Sequence, residues 1–215
     1  MLLFLDLLGT LAFAFTGAFR AVKHELDWLG VLVLATMTGV GGGMVRDLLL
    51  GETPPVALRQ PMYIGICILG AVLTIVAKRR IAPHWDWVMM ADALGLGFFA
   101  AIGAARAAQA GANLMTIVLL AGLTAVGGGV IRDVLVSEIP QVLKSDFYAT
   151  AALIGGLAFW LLTFTDLPQT PRLLLTTGLT FGLRLFAMRR GLQLPKMRPL
   201  PASPSTIAKQ RERSE

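Results

Sequence analysis

Long apolar stretches of about 20 residues, separated by short polar loops, occupy most of this chain, and a stretch of that length crosses the hydrocarbon core of a bilayer as a helix. Seven are read from the pattern: Leu2–Val22, Trp28–Leu50, Pro61–Ala77, Trp87–Ala107, Leu114–Val136, Phe147–Phe164 and Arg172–Met188. They predict an all-α integral membrane protein with seven transmembrane helices. The first stretch carries a signal-cleavage-like Ala12-Phe13-Ala14, but no basic region precedes it and Asp6 interrupts it. It is therefore expected to remain as a structural helix.

Polar positions inside the apolar runs recur. Gly41-Gly42-Gly43-Met44-Val45-Arg46-Asp47 returns as Gly127-Gly128-Gly129-Val130-Ile131-Arg132-Asp133, a shift of 86 residues. The same shift carries Asp6 onto Asp92, Gly9 onto Gly95, Gly17 onto Gly103, Arg20 onto Arg106, Thr38 onto Thr124 and Glu52 onto Glu138. After a one-residue deletion Tyr63 falls on Tyr148. This is the signature of an internal duplication. Three helices per copy is an odd number, so the copies enter the membrane in opposite directions, an inverted 3+3 repeat plus a seventh helix. A transmembrane domain over 1–190 then comprises repeat one (1–80), repeat two (86–165) and helix seven (171–190). Residues 191–215, rich in Pro, Ser, Lys and Arg, read as a disordered basic cytoplasmic tail.

Composition supports this: 55% of residues are hydrophobic, 15% are charged and mean hydropathy is +0.70, whereas soluble domains carry about a quarter charged residues. The net charge of +6 lies mostly in loops and tail, which suits membrane lipid better than nucleic acid. Lys23, Lys78-Arg79-Arg80, Lys144 and Arg189, Arg190, Lys196 and Arg198 fall on one side, against Arg59, Arg106 and Arg172 on the other. The positive-inside rule then sets the N-terminus outside and the C-terminus in the cytoplasm, as in a bacterial-type inner membrane. Cys67 is a lone cysteine, and His24 and His84 lie apart, so no disulfide, metal site or cofactor is expected. Without a catalytic triad pattern or phosphate loop, the chain does not read as an enzyme.

The duplicated motif is the candidate site. Glycine runs ease the bending or breaking of a helix, so each triplet is expected to break or kink its helix and free backbone carbonyls toward a polar cavity; close packing through small residues is the other use of such runs. Arg46 and Asp6 lie at similar depth, as do Arg132 and Asp92, and each couple is expected to form a structural ion pair. Asp47 and Asp133 are then left as free acids near Gly41–Gly43 and Gly127–Gly129, with the hydroxyls of Thr38 and Thr124 beside them. Such a set could line and gate a cation path, or form a polar network that only orients helices. Glu52 and Glu138 read as caps, Arg20 and Arg106 as snorkelling ends, and Trp28, Trp85, Trp87 and Tyr63 as interfacial anchors.

The paired GGGxxRD segments, the inverted repeat and the extra helix resemble the prokaryotic TRIC family, the trimeric intracellular cation channels. The likeness covers residues 1–190 and omits the tail. It implies a homotrimer with an ion pathway in each subunit, running between the repeats past kinks at the two glycine triplets, Gly41–Gly43 and Gly127–Gly129. It also implies monovalent cations, mainly potassium, as the substrate. The family's domain is also labelled glycine transporter, which keeps open a secondary transporter of a small amino acid such as glycine.

Overall fold

A computed structural model describes residues 1–81, 85–144 and 147–191, apart from the side chains of 78–81 and 85. The expected disordered tail lies, beyond Gly191, outside the described residues, as does His84. The described chain is all-helical: α1 (Leu2–Lys23), α2 (Trp28–Leu49), α3 (Val56–Arg59), α4 (Pro61–Ile81), α5 (Trp85–Gln109), α6 (Leu114–Leu135), α7 (Gln141–Lys144), α8 (Ala149–Leu162) and α9 (Gln169–Arg190). Four of these, α1, α2, α5 and α6, are long and apolar enough to cross a membrane, while Pro61–Ala77 and Ala149–Leu162 are shorter apolar helices.

The four long helices form the centre, with α1 against α2, α4 and α5, and α6 against α2, α5 and α8. Polar residues turn inward: Asp6, Arg46, Asp47, Asp92, Arg132 and Asp133 are all at most 3% exposed. Apolar side chains turn outward, among them Leu48, Leu49, Val72, Val76, Met115 and Leu161. The arrangement suits a solvent of lipid, where burying charge requires partners inside the protein. The same inversion marks α9, which buries Thr176, Thr177, Thr180 and Arg184 against α5 and α8 while exposing Leu174, Leu175 and Phe186.

Local geometry recurs at the shift seen in the sequence. Asp27 caps α2 by accepting from Gly30 N, and Asn113 caps α6 by accepting from Thr116 N. The turns before these helices place Glu25 and Gly111 at φ +56° and +72°. The turns after them place Gly51 and Ser137 at φ +76° and +57°. Glu25 and Ser137 hold a backbone that side chains disfavour, so here tertiary position overrides residue type.

The glycine triplets do not interrupt their helices. Helical structure runs through Gly41–Gly43 in α2 and Gly127–Gly129 in α6, which corrects the expectation of a helix break there. Their use is close approach of two backbones. A Cβ on Gly42 would collide with the carbonyl oxygen of Thr124, and one on Gly128 with that of Thr38; Gly127 sits 3.1 Å from the Gly42 Cα by the same measure. Small-residue contact of this kind lets helices pack in lipid without a hydrophobic driving force. Gly128→Ala should therefore lower the unfolding temperature in detergent, with a cost of about 1–3 kcal/mol from overpacking. Gly182→Ala on α9, where an added Cβ meets nothing within 4 Å, should be neutral or slightly stabilising; equal effects of the two would refute the close approach.

Candidate functional site

Each Arg-Asp pair lies in the last turns of its helix, and the Arg turns back onto its neighbour. Arg46 Nε and Nη2 donate to Asp47 Oδ1 at 2.9 and 2.8 Å, and Arg132 Nε donates to Asp133 Oδ1 at 2.9 Å. Adjacent residues point about 100° apart on a helix, but the long guanidinium arm closes that angle. The second oxygen of each Asp accepts from the start of the next short helix: Val56 N to Asp47 Oδ2 at 2.9 Å, Gln141 N to Asp133 Oδ2 at 2.8 Å. Asp47 and Asp133 are thus engaged on both oxygens, which corrects their reading as free acids.

The two halves then diverge. Arg132 Nη1 donates to Asp92 Oδ1 at 2.8 Å and to Thr16 Oγ1 at 3.1 Å, tying α6 to α5 and α1. Arg46 does not reach Asp6; among the described residues Asp6 has no ion pair, and Tyr63 Oη donates to its Oδ2 at 2.6 Å instead. The sequence suggests a cause. The position matching Thr16 in the other copy is Ile102, which cannot accept a hydrogen bond, and Arg46 Nη1 is buried with no hydrogen-bond partner among the described residues. Beside it, a cavity of about 10 Å³ is lined by Asp6, Thr10, Arg46, Asp47 and Tyr63, about the size of one water. In the second half Arg184 of α9 brings a further cation, its guanidinium 4.9 Å over the Tyr148 ring. Formal charge is −1 over Asp6, Asp47 and Arg46, and zero over Asp92, Asp133, Arg132 and Arg184.

Thr38 and Thr124 are fully buried, and their hydroxyls donate back to Leu34 O and Leu120 O, both at 2.6 Å. They face Gly17 of α1 and Gly103 of α5 across the helix crossings.

Two further clusters lie at the two ends of α2, which is about 33 Å long at 1.5 Å per residue. At the end where α1 turns into α2, Arg20 Nη1 donates to Glu138 Oε2 at 2.9 Å and Oε1 at 3.2 Å, and His24 Nε2 lies 2.9 Å from Oε1. At the opposite end Glu52 sits 3.9 Å from both Arg59 and Arg106, over a cavity of about 440 Å³. Glu138, read as a cap, and Arg20, read as snorkelling, are instead partners across the two copies. Tyr63, read as an interfacial anchor, is 4% exposed and holds Asp6. The signal for these roles was their own duplication; Arg184 had none beyond being an arginine in an apolar run.

Burial raises the Glu138 pKa, but the His24 hydrogen bond and the Arg20 and His24 charges outweigh it and hold it below 4.5. A carboxylate depressed in the folded state contributes stability above its unfolded pKa and loses it as pH falls through the folded value. The unfolding temperatures of wild type and Glu138→Gln should therefore differ above about pH 4.5 and converge below it; a constant gap would refute the contact. Breaking a buried ion pair costs about 3–5 kcal/mol. Asp92→Asn should thus lower stability in detergent distinctly more than Asp6→Asn, although sequence alone makes the two equivalent.

A family model described as Glycine transporter matches residues 3–79 and 89–163. The chain is 43% identical over 160 residues to a UPF0126 membrane protein of Deinococcus radiodurans, covering 74% of each chain. It is 39% identical over 194 residues to the UPF0126 inner membrane protein YadS of Escherichia coli K12, covering 89% of this chain and 93% of that one. Among solved structures, a TRIC cation channel superposes with a TM-score of 0.85 at 39% identity, over 93% of this chain and 98% of its own. The TRIC trimeric intracellular cation channel orthologue from Rhodobacter sphaeroides does so at 0.84 and 36% identity, over 89% and 98%.

Proposed function

The chain belongs to the prokaryotic TRIC family, and on that premise we propose that it is a cation channel, conducting monovalent ions and chiefly potassium, as a homotrimer with one pathway inside each subunit. The likeness to TRIC cation channels along nearly the whole chain carries this reading. The protein is an integral membrane protein; in the proposed topology seven helices span the bilayer as an inverted repeat plus α9, with the N-terminus outside and the C-terminus in the cytoplasm.

The geometry supports a path between the two copies. The proposed path runs by Thr38, Gly41, Gly42, Gly43 and Asp47 of α2 and Thr124, Gly127, Gly128, Gly129 and Asp133 of α6; at the crossing itself Gly42 meets the Thr124 carbonyl, Gly128 the Thr38 carbonyl and Gly127 lies against Gly42. In the proposed channel this close crossing is the gate, and conduction would have α2 and α6 separate at the triplets. The half holding Asp6 and Asp47 carries the net negative charge that would concentrate a cation. In this reading the cavity beside Glu52 is one mouth of the path, and the contacts of Glu138 with Arg20 and His24 close the opposite mouth.

The family description favours one other reading, a secondary transporter of a small amino acid such as glycine, using the repeat for alternating access. Liposome flux separates them. Fast, uncoupled potassium flux, raised at least severalfold by Glu138→Gln, is the expected result. Silence toward potassium with saturable glycine uptake in the same vesicles would overturn the channel and establish the carrier.

A further inference from the structure

The open mouth has chemistry that ion passage does not require. Its cavity of about 440 Å³ is lined by Glu52, Thr53, Arg59, Gln60 and Arg106, with Gly51 and Val56. Two guanidiniums face one carboxylate, a local charge of +1, and neither makes a hydrogen bond to it: Arg59 Nη2 and Arg106 Nη1 each stand 3.9 Å from a Glu52 oxygen. Arg106 Nε is buried and has no hydrogen-bond partner among the described residues. A desolvated guanidinium donor left unmade is costly, which points to an acceptor that belongs there.

The opposite mouth shows what the same residues do when no ligand is needed. Arg20 and Glu138, the matching residues, are in direct contact, and His24 takes the other Glu138 oxygen. The position matching His24 is Ala110, whose methyl group cannot reach a glutamate. The vestibule thus stays open with both arginines underused. Paired arginines present a planar fork that fits a carboxylate bidentately.

We propose that this vestibule is a binding site for the carboxylate group of a small solute, held between Arg59 and Arg106 with Thr53 and Gln60 offering further polar contacts. A bound carboxylate brings the local charge to zero and removes a positive barrier from a cation's way in. Glu52 decides how far the site reads the rest of the ligand. A simple carboxylate gains when Glu52 is neutralised; an amino acid whose ammonium group sits on Glu52 loses.

The site does not depend on ions passing, so it is tested by binding rather than flux. Saturation-transfer NMR on the purified full-length protein in detergent would use acetate, glycine and methylammonium as probes. Acetate is expected to bind and methylammonium not to bind. Arg106→Gln and Arg59→Gln should each weaken acetate at least tenfold, and Glu52→Gln should strengthen it. Weaker glycine binding in Glu52→Gln assigns a zwitterion to the site, and stronger binding assigns a simple carboxylate. Should Arg106→Gln fail to fold, Arg59→Gln decides, since Arg59 is half exposed and outside the core. No acetate binding by the wild type, or unchanged affinity in Arg59→Gln, would overturn the proposal.

Discussion

A guanidinium placed among apolar helices must be neutralised within the protein, because lipid offers it nothing. Arg46 and Arg132 meet this constraint through the residue next in sequence, so neutralisation is local and does not wait on tertiary structure. The same aspartates then spend their second oxygen on the first backbone N–H of α3 and α7. One interaction therefore satisfies a buried cation and fixes the chain as it leaves each long helix. It adds to the backbone bonds Glu52 N to Asp47 O and Glu138 N to Asp133 O, which hold the same segments against the helix ends.

The glycine triplets follow from the same arrangement. Each lies one turn before its Arg-Asp pair, and there the backbones of α2 and α6 touch through Gly42, Gly127 and Gly128. Reciprocal contact of each helix with a carbonyl of the other, Thr38 and Thr124, makes the crossing self-complementary. Glycine lets the two backbones meet without side chains between them.

Much of this was legible in the sequence. Helix positions followed from hydropathy, and the duplication followed from polar residues recurring at one shift. The geometry of the Arg-Asp pairs was not legible, since an angular argument for adjacent residues ignores the reach of arginine at a helix end. A break at the triplets was expected from glycine's weak helix propensity, yet the helices continue because packing through small residues outweighs it. Glu138 and Arg20 were each given a local explanation, although both belong to a contact separated by 118 residues. Periodicity describes one helix at a time, so contacts between the copies could be located only by asking what a duplicated charge faces.

Duplication makes two halves alike, and the function of such a fold depends on where they stop being alike. Thr16 against Ile102 decides whether the central arginine binds outward to a neighbouring helix or leaves a donor beside a water-sized cavity. His24 gives Glu138 a second partner, whereas Ala110 at the matching position offers Glu52 none, and a cavity lies beside Glu52. Helix α9, which no helix of repeat one matches, adds the positive charge of Arg184 to one half, over the Tyr148 ring. Two of these differences are single side chains on a shared backbone and the third comes from a helix outside the duplication; in the proposed channel they would give the molecule a direction, with one end accessible and one end shut. A symmetric pair of halves could hold an ion equally well from either side but would have no means of being open to only one.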